Sequence, residues 1–255
     1  MLGAIVGDVA GSAYEFSPAD RYDFELFPEG SAFTDDTVLT LATADALVRG
    51  LDYGPAYLDW GLRYPGRGYG NRFSSWLARG GQKPYNSLGN GSAMRVSPVG
   101  WAFKSLEKTL EEARRTALPT HSHPEGIKGA QAVAGAIFLA RTGANKEQIR
   151  SWVSGTFGYD VSRRVIDIRP VYGFDETCPG SVPEAFCAFF DSSDFESALR
   201  MAVWLKGDAD TQACVAGSIA EAFYGGVPRY LADPALALLT EEMRALIGKF
   251  EGIRK

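Results

Sequence analysis

The sequence predicts an all-α protein built as one compact domain, residues 1–255. Three observations carry that prediction. Apolar residues recur at helical spacing along most of the chain. Strand-like alternation is hard to find, and where it occurs, over Val165–Val171, Pro170 and the flanking turns demote it to an edge strand or an extended loop. No repeat, linker or charged tail divides the 255 residues. With 45% hydrophobic and 22% charged residues the chain lies far from the disordered class. A core of this size needs neither disulfide nor metal to fold.

From Leu2 to about Ala13, the residues Gly3, Gly7 and Gly11 recur every fourth position. They drift only about 40° per step around a helix, so a neighbouring helix can approach one small-residue face closely. Asp35–Val48 carries Val38, Leu41, Ala42 and Val48 near helical spacing, with Thr34 as a natural N-cap and Gly50 as a stop. Pro55–Leu62, Asn71–Ala78, Ser92–Phe103, Leu106–Ala117, Pro124–Ala140 and Lys146–Val153 continue the helical pattern. Thr156–Ser181 is the longest stretch without a convincing helix. Pro183–Phe190, Phe195–Leu205, Thr211–Tyr224 and Pro234–Phe250 complete the set. The irregular stretches Tyr64–Gly70, Gly80–Gly91 and Thr177–Gly180 are where ligand contacts are expected.

The formal net charge of -5 and the lack of a Lys/Arg-rich run argue against a nucleic-acid surface. Cys178, Cys187 and Cys214 form no Cys-x-x-Cys pair, so neither a disulfide framework nor a zinc ribbon is expected. Asp8 interrupts the first apolar stretch, which disqualifies it as a signal peptide. The longest apolar run, about Ala132–Ala140, is far short of a membrane span. The expectation is a soluble cytoplasmic monomer.

Two acidic clusters open helices: Thr34-Asp35-Asp36-Thr37 and Gly207-Asp208-Ala209-Asp210-Thr211. Capping explains either one alone, since a hydroxyl satisfies first-turn N–H groups and the dipole favours carboxylates there. Two of the same chemistry point further. Asp8 and Glu15, seven residues apart, lie within about 20° of each other on a continuous helix, beside its glycine face. Buried unpaired carboxylates are costly, and a hard cation such as Mg²⁺ or Mn²⁺ neutralises them. Gly89-Asn90-Gly91-Ser92-Ala93-Met94-Arg95 and Pro65-Gly66-Arg67-Gly68-Tyr69-Gly70 read as phosphate cradles or as plain turns. His121-Ser122-His123-Pro124 holds both histidines, as metal ligands or as a polar loop contacting substrate; the cysteines read as structural.

Taken together these segments resemble the ADP-ribosylglycohydrolase family, in six stretches and in the family's order. They are Gly3-Ala4-Ile5-Val6-Gly7-Asp8 through Glu15-Phe16, Thr34 to Thr37, Gly66 to Gly70, Gly89 to Arg95, His121 to Gln131, and Gly207 to Thr211 followed by Ala216-Gly217-Ser218-Ile219-Ala220. The resemblance implies an all-α fold around a central cleft holding two Mg²⁺ or Mn²⁺ ions. It implies Thr34, Asp35 and Asp36 as one ligand group, Asp208, Asp210 and Thr211 as the other, and Glu15 as a glutamate that reaches the metals. Gly66, Gly68, Tyr69, Gly70, Gly91 and Ser92 would face diphosphate and ribose. His121 would lie on the substrate side, and the loop with Phe174 and Cys178 at the adenosine end. One departure stands out: Lys206 occupies a position where the family commonly has glycine. Directed at the site its charge would weaken metal binding; directed to solvent it would change nothing.

The implied reaction is hydrolysis of the bond between the anomeric carbon of ADP-ribose and an acceptor, on a modified protein or a small ADP-ribose conjugate. Asp36 and Asp210 are expected to be essential, with Asp35 and Glu15 also catalytic. Arginine-linked ADP-ribose is the first choice of substrate. The alternatives are a non-catalytic ADP-ribose-binding member of the same fold and an all-α metal-dependent phosphohydrolase.

Overall fold

A computed structural model describes residues 1–253; Arg254 and Lys255, part of the expected 1–255 domain, lie outside the described residues. Helices run in the order α1 (Leu2–Gly11), a 3₁₀ turn (Ser12–Tyr14), α2 (Asp35–Arg49), α3 (Tyr53–Arg63), α4 (Asn71–Ala78), α5 (Gly91–Met94), α6 (Ser97–Ala102), α7 (Leu106–Ala117), α8 (Pro124–Arg141), α9 (Lys146–Phe157), α10 (Val165–Ile168), α11 (Cys178–Asp191), α12 (Phe195–Trp204), α13 (Ala209–Tyr224), α14 (Arg229–Ala237) and α15 (Glu241–Glu251). Among the described residues there is no strand. Two isolated antiparallel pairings, Asn86 with His121 and Gly89 with Thr177, tie loops together.

The glycine face of α1 does what its spacing predicts. A Cβ on Gly3, Gly7 or Gly11 would overlap the carbonyl oxygens of Gly217, Ala213 and Ala209 respectively, so α1 lies backbone to backbone on α13. Both helices are buried along nearly their whole length, with Ile5, Val6, Val9, Val215 and Ile219 in the core. α13 also packs on α8, α11 and α12, which makes it the central helix. The site therefore rests on the most enclosed part of the molecule, where side-chain positions are fixed by close packing.

Several expected boundaries shift. The first helix stops at Gly11 rather than Ala13, and a 3₁₀ turn carries the chain to Glu15. Ser12 helps to end it: its hydroxyl donates to the Val9 carbonyl at 2.9 Å and accepts the Ala32 N–H at 3.1 Å. The continuous helical face proposed for Asp8 and Glu15 does not exist. The single helix Ser92–Phe103 is two, α5 and α6, because Pro98 has no N–H for the Met94 carbonyl. That carbonyl instead accepts from Cys214 Sγ at 3.2 Å and Thr40 Oγ1 at 3.4 Å, which fastens α5 to α13 and α2.

Val165–Val171 is neither strand nor extended loop. It forms the one-turn α10, whose Val165 N–H donates to Asp191 at 2.8 Å. α11 begins at Cys178, five residues before the expected Pro183, because Thr177 Oγ1 caps it by accepting the Gly180 N–H at 3.1 Å. Pro183 is tolerated within the helix. α9 runs on from Val153 to Phe157, where left-handed Gly158 ends it. Pro234–Phe250 divides into α14 and α15 at Leu238–Thr240, with Thr240 capping the second by accepting the Met243 N–H at 3.3 Å. Among the described residues no helix is long and apolar enough to cross a membrane.

Candidate metal centre and substrate cleft

The C-terminal half of α1 and the N-termini of α2 and α13 converge on one group of carboxylates. Asp8, fully buried in α1, anchors it. Its Oδ1 accepts the Thr34 hydroxyl at 2.7 Å, and its Oδ2 accepts the Thr34 N–H at 3.0 Å, the Thr37 N–H at 3.1 Å and the Thr37 hydroxyl. These four bonds fix the first turn of α2. Thr34 also caps α2 by accepting the Asp36 N–H at 3.2 Å, so the capping role read from sequence is real.

The second cluster behaves differently. Asp208 stands at the N-cap of α13 but its side chain caps nothing. It turns instead to accept Asn90 Nδ2 at 2.7 Å. Asp210 Oδ1 accepts the Thr211 N–H at 2.8 Å, and the Thr211 hydroxyl reaches Asp36 Oδ2 at 3.3 Å, joining α13 to α2. Asp36 Oδ1 is buried and has no hydrogen-bond partner. Glu15, Asp208 and Asp210 each offer a carboxylate oxygen within 4.8 Å of the others.

Among the described residues no Lys or Arg forms an ion pair with Asp8, Glu15, Asp35, Asp36, Asp208 or Asp210. Their proton affinities report that crowding. Burial first, then the charges of Asp210 and Asp8, hold Asp35 and Asp36 well above the ordinary carboxylate range. Burial and Asp208 do the same to Asp210. Burial pushes Asp208 up to about 6 against the pull of its hydrogen bonds, and burial with Asp210, Asp8 and Glu176 pushes Glu15 up to about 8. A buried, unpartnered carboxylate oxygen among uncompensated carboxylates is the environment a hard divalent cation satisfies. The donor set, carboxylates with Thr211 and no Cys or His, fits Mg²⁺ or Mn²⁺ rather than zinc.

These groups floor a cleft of about 510 Å³. Glu15, Asp35, Asp36, Asp208, Asp210 and Thr211 line it, together with the expected Gly68, Tyr69, Gly70, Gly91, His121 and Phe174. The Gly66–Gly70 turn is drawn in because the Asp35 N–H donates to the Arg67 carbonyl at 2.7 Å. Gly68 adopts φ +92°, and a Cβ there would stand 3.3 Å from Asp35 Oδ1. At the second turn a Cβ on Gly91 would lie 3.0 Å from the His121 ring. His121 is held by Thr120 Oγ1 on Nδ1 at 2.8 Å, and its burial, with Arg95 and Arg72 nearby, keeps it neutral well below its ordinary pKa.

Four expected residues lie outside the lining: Thr34, Gly66, Ser92 and Cys178. Ser92 is buried and donates to the Gly126 carbonyl at 2.7 Å; Cys178 is buried and donates to the Gly89 carbonyl at 3.2 Å. Both brace the second glycine turn from behind. Arg95, the last residue of the Gly89–Arg95 motif, does line the cleft, but its guanidinium stacks 4.1 Å over Tyr57 and donates to the Thr116 carbonyl and Thr120 hydroxyl. His123 caps α8 by accepting the Glu125 N–H at 3.1 Å, which removes it from the metal question. Lys206 points to the surface, its Nζ 3.8 Å from exposed Asp20.

Sequence reasoning missed Asn71, Arg72, Tyr85, Asn90 and Glu176 as cleft residues. Arg72 lies over the Tyr85 ring at 5.1 Å, and Tyr85 stands 6.1 Å from the His121 ring. Asn90 sat inside a motif already quoted, and its amide beside glycine was the available signal. The others are loop or helix-end residues whose spacing announces nothing.

The scaffold is all-α and gathers acidic helix ends beneath glycine-lined turns, a carboxylate-rich centre that could hold a metal ion. Residues 1–253 match the family model for ADP-ribosylglycohydrolase, and the chain belongs to that family of glycosidic-bond hydrolases. It is 28% identical over 262 residues to the ADP-ribosylarginine hydrolase Tri1 of Pseudomonas putida (strain GB-1), covering 89% of this chain and 71% of that protein. It is 27% identical over 305 residues to the ADP-ribosylhydrolase ARH3 of Mus musculus, covering 88% and 82%. A solved structure described as an ADP-ribosylglycohydrolase-related protein complex aligns with a TM-score of 0.74 at 30% identity, over 99% of this chain and 96% of that one.

Proposed function

We propose that this chain, acting as a single domain and as a monomer in a reducing cytoplasm, hydrolyses the bond between ADP-ribose and an acceptor side chain, arginine first. Its cofactors are two Mg²⁺ or Mn²⁺ ions held by Thr34, Asp35 and Asp36 on one side and Asp208, Asp210 and Thr211 on the other. The observation that carries the reading is the cluster of uncompensated carboxylates, with Asp36 Oδ1 buried and unpartnered, on the floor of a 510 Å³ cleft. Arginine is favoured by likeness to the ADP-ribosylarginine hydrolase of Pseudomonas putida. Free, buried cysteines fit a reducing compartment.

Breaking the bond builds positive charge on the ribose ring, which surrounding carboxylates stabilise. Divalent metal bound here would orient the ribose hydroxyls and lower the pKa of an adjacent water. Asp36 and Asp210 form the essential pair, with Asp35, to position that water and take its proton. Glu15, at the end of the 3₁₀ turn rather than within a helix, moves to admit substrate. Gly68, Tyr69, Gly70 and Gly91 leave backbone N–H groups near the diphosphate, with Ser92 bracing them, while His121 meets the substrate as a neutral ring. The test is mass identification of the product released from an ADP-ribosylated arginine peptide with Mg²⁺ or Mn²⁺. Free ADP-ribose is expected; AMP, inorganic phosphate or pyrophosphate instead would show a phosphohydrolase.

A further inference from the structure

Phe16 and Phe174 are large apolar side chains left in solvent, 83% and 51% exposed. Their rings stack on each other, 6.1 Å apart and 28° from parallel. Phe16 directly follows Glu15 of the acid cluster, and Phe174 and Glu176 line the cleft. The segment bearing the last two is anchored: the Glu176 carbonyl accepts the Asn90 N–H at 2.8 Å, and Asp175 Oδ1 is spent on the Thr177 N–H and hydroxyl. The Glu176 side chain is exposed, and among the described residues no Lys or Arg pairs with it. One rim of the cleft thus presents two aromatic faces beside an uncompensated carboxylate.

That combination suits a particular chemistry. The anionic diphosphate of ADP-ribose is disfavoured beside Glu176, and the neutral adenosine gains nothing from that carboxylate, so the rim best suits a cationic group on the other side of the scissile bond. A guanidinium is flat, cationic and weakly hydrated, and it binds aromatic faces and carboxylates together. A serine acceptor offers neither plane nor charge. Resting on the hydrolase reading above, we infer that Phe16, Phe174 and Glu176 form the acceptor subsite and select an arginine-linked guanidinium. Phe174 then serves the acceptor end, beside the neighbour of Glu15, and not the adenosine end that the family resemblance implied.

The experiment compares Phe16→Ala, Phe174→Ala and Glu176→Gln with the unaltered protein. It measures kcat/KM on matched peptides carrying arginine-linked or serine-linked ADP-ribose, and calorimetric affinity for free ADP-ribose. Each change is expected to cut kcat/KM on the arginine-linked peptide by about tenfold, the scale of a lost cation–π or ionic contact. Affinity for free ADP-ribose stays within about twofold, since contacts on one side of the bond add little to the other, and any serine-linked turnover is spared. The assignment is overturned by undiminished arginine-linked turnover, by equal losses on both linkages, or by an unaltered protein that prefers serine. Weakened binding of free ADP-ribose by Phe174→Ala overturns it too, returning that ring to the adenosine end. Release of ADP-ribose from neither peptide by the unaltered protein removes the hydrolase reading itself, and this assignment with it.

Discussion

Lys206 holds a backbone conformation that glycine adopts freely, φ +69°, and among the described residues no other non-glycine has positive φ. An L side chain there costs about 1 kcal/mol. Its charge is what draws attention to it in the sequence, yet its Nζ pairs with Asp20 at the surface, and the backbone angle rather than the charge is what sets this position apart. Lys206→Gly is therefore expected to stabilise the protein by roughly 0.5–1 kcal/mol in urea unfolding while leaving metal affinity unchanged; a clear rise in metal affinity would place the ammonium at the site after all. Other residues were legible for the reason first given. Thr34 caps α2, and Asp35, Asp36, Asp208 and Asp210 line one cleft, all of them in acid clusters at two helix starts that are visible in sequence. Arg72, Tyr85 and Glu176 were not, because their place in the cleft depends on loop paths that no periodicity encodes.

At the scale of elements, helix positions followed from apolar spacing, and the errors arose where a distant partner decides. Pro98 denies the Met94 carbonyl its helical N–H, and the resulting split is held by Thr40 and Cys214, which donate to that carbonyl; Asp191 receives the Val165 N–H, so a turn of helix forms where an edge strand or extended loop was expected. Neither partner is near in sequence. The glycine face of α1 was readable because its constraint is steric and repeats every fourth residue. Gly7→Ala is expected to destabilise by about 1–3 kcal/mol, the ordinary cost of overpacking a core, because the added methyl meets the Ala213 backbone. Since Asp8 lies next to Gly7 and fixes Thr34 and Thr37, the same change should weaken metal binding. Thermal unfolding with and without Mn²⁺ checks both; an alanine variant as stable as the parent would contradict the packing described.

For the whole molecule, the carboxylate cluster links stability to pH. Glu15 at about 8 and Asp208 at about 6 lie above their ordinary values, as do Asp35, Asp36 and Asp210. Groups raised in the folded state stabilise it below their unfolded pKa values, near 4, and lose that contribution as pH rises toward 8. His121, lowered in the folded state, acts oppositely, but only up to its ordinary 6.5. Between pH 6.5 and 8 the carboxylates dominate, so chelator-treated protein should melt at falling temperature across that interval, and Mg²⁺ should restore more at pH 8 than at 6.5. A flat or rising profile in chelator would mean the cluster is not buried against its own charge. The central claim, that two helix starts and the end of α1 hold divalent metal on which ADP-ribose release depends, meets its most direct test in one assay. ADP-ribose release from an arginine-linked peptide is followed in chelator-treated protein as Mn²⁺ is added back, for the unaltered chain and for Asp36→Ala with Asp210→Ala. Metal-dependent release by the first and none by the second is expected; undiminished release by the double variant, or full activity in chelator, would contradict a metal held by these carboxylates.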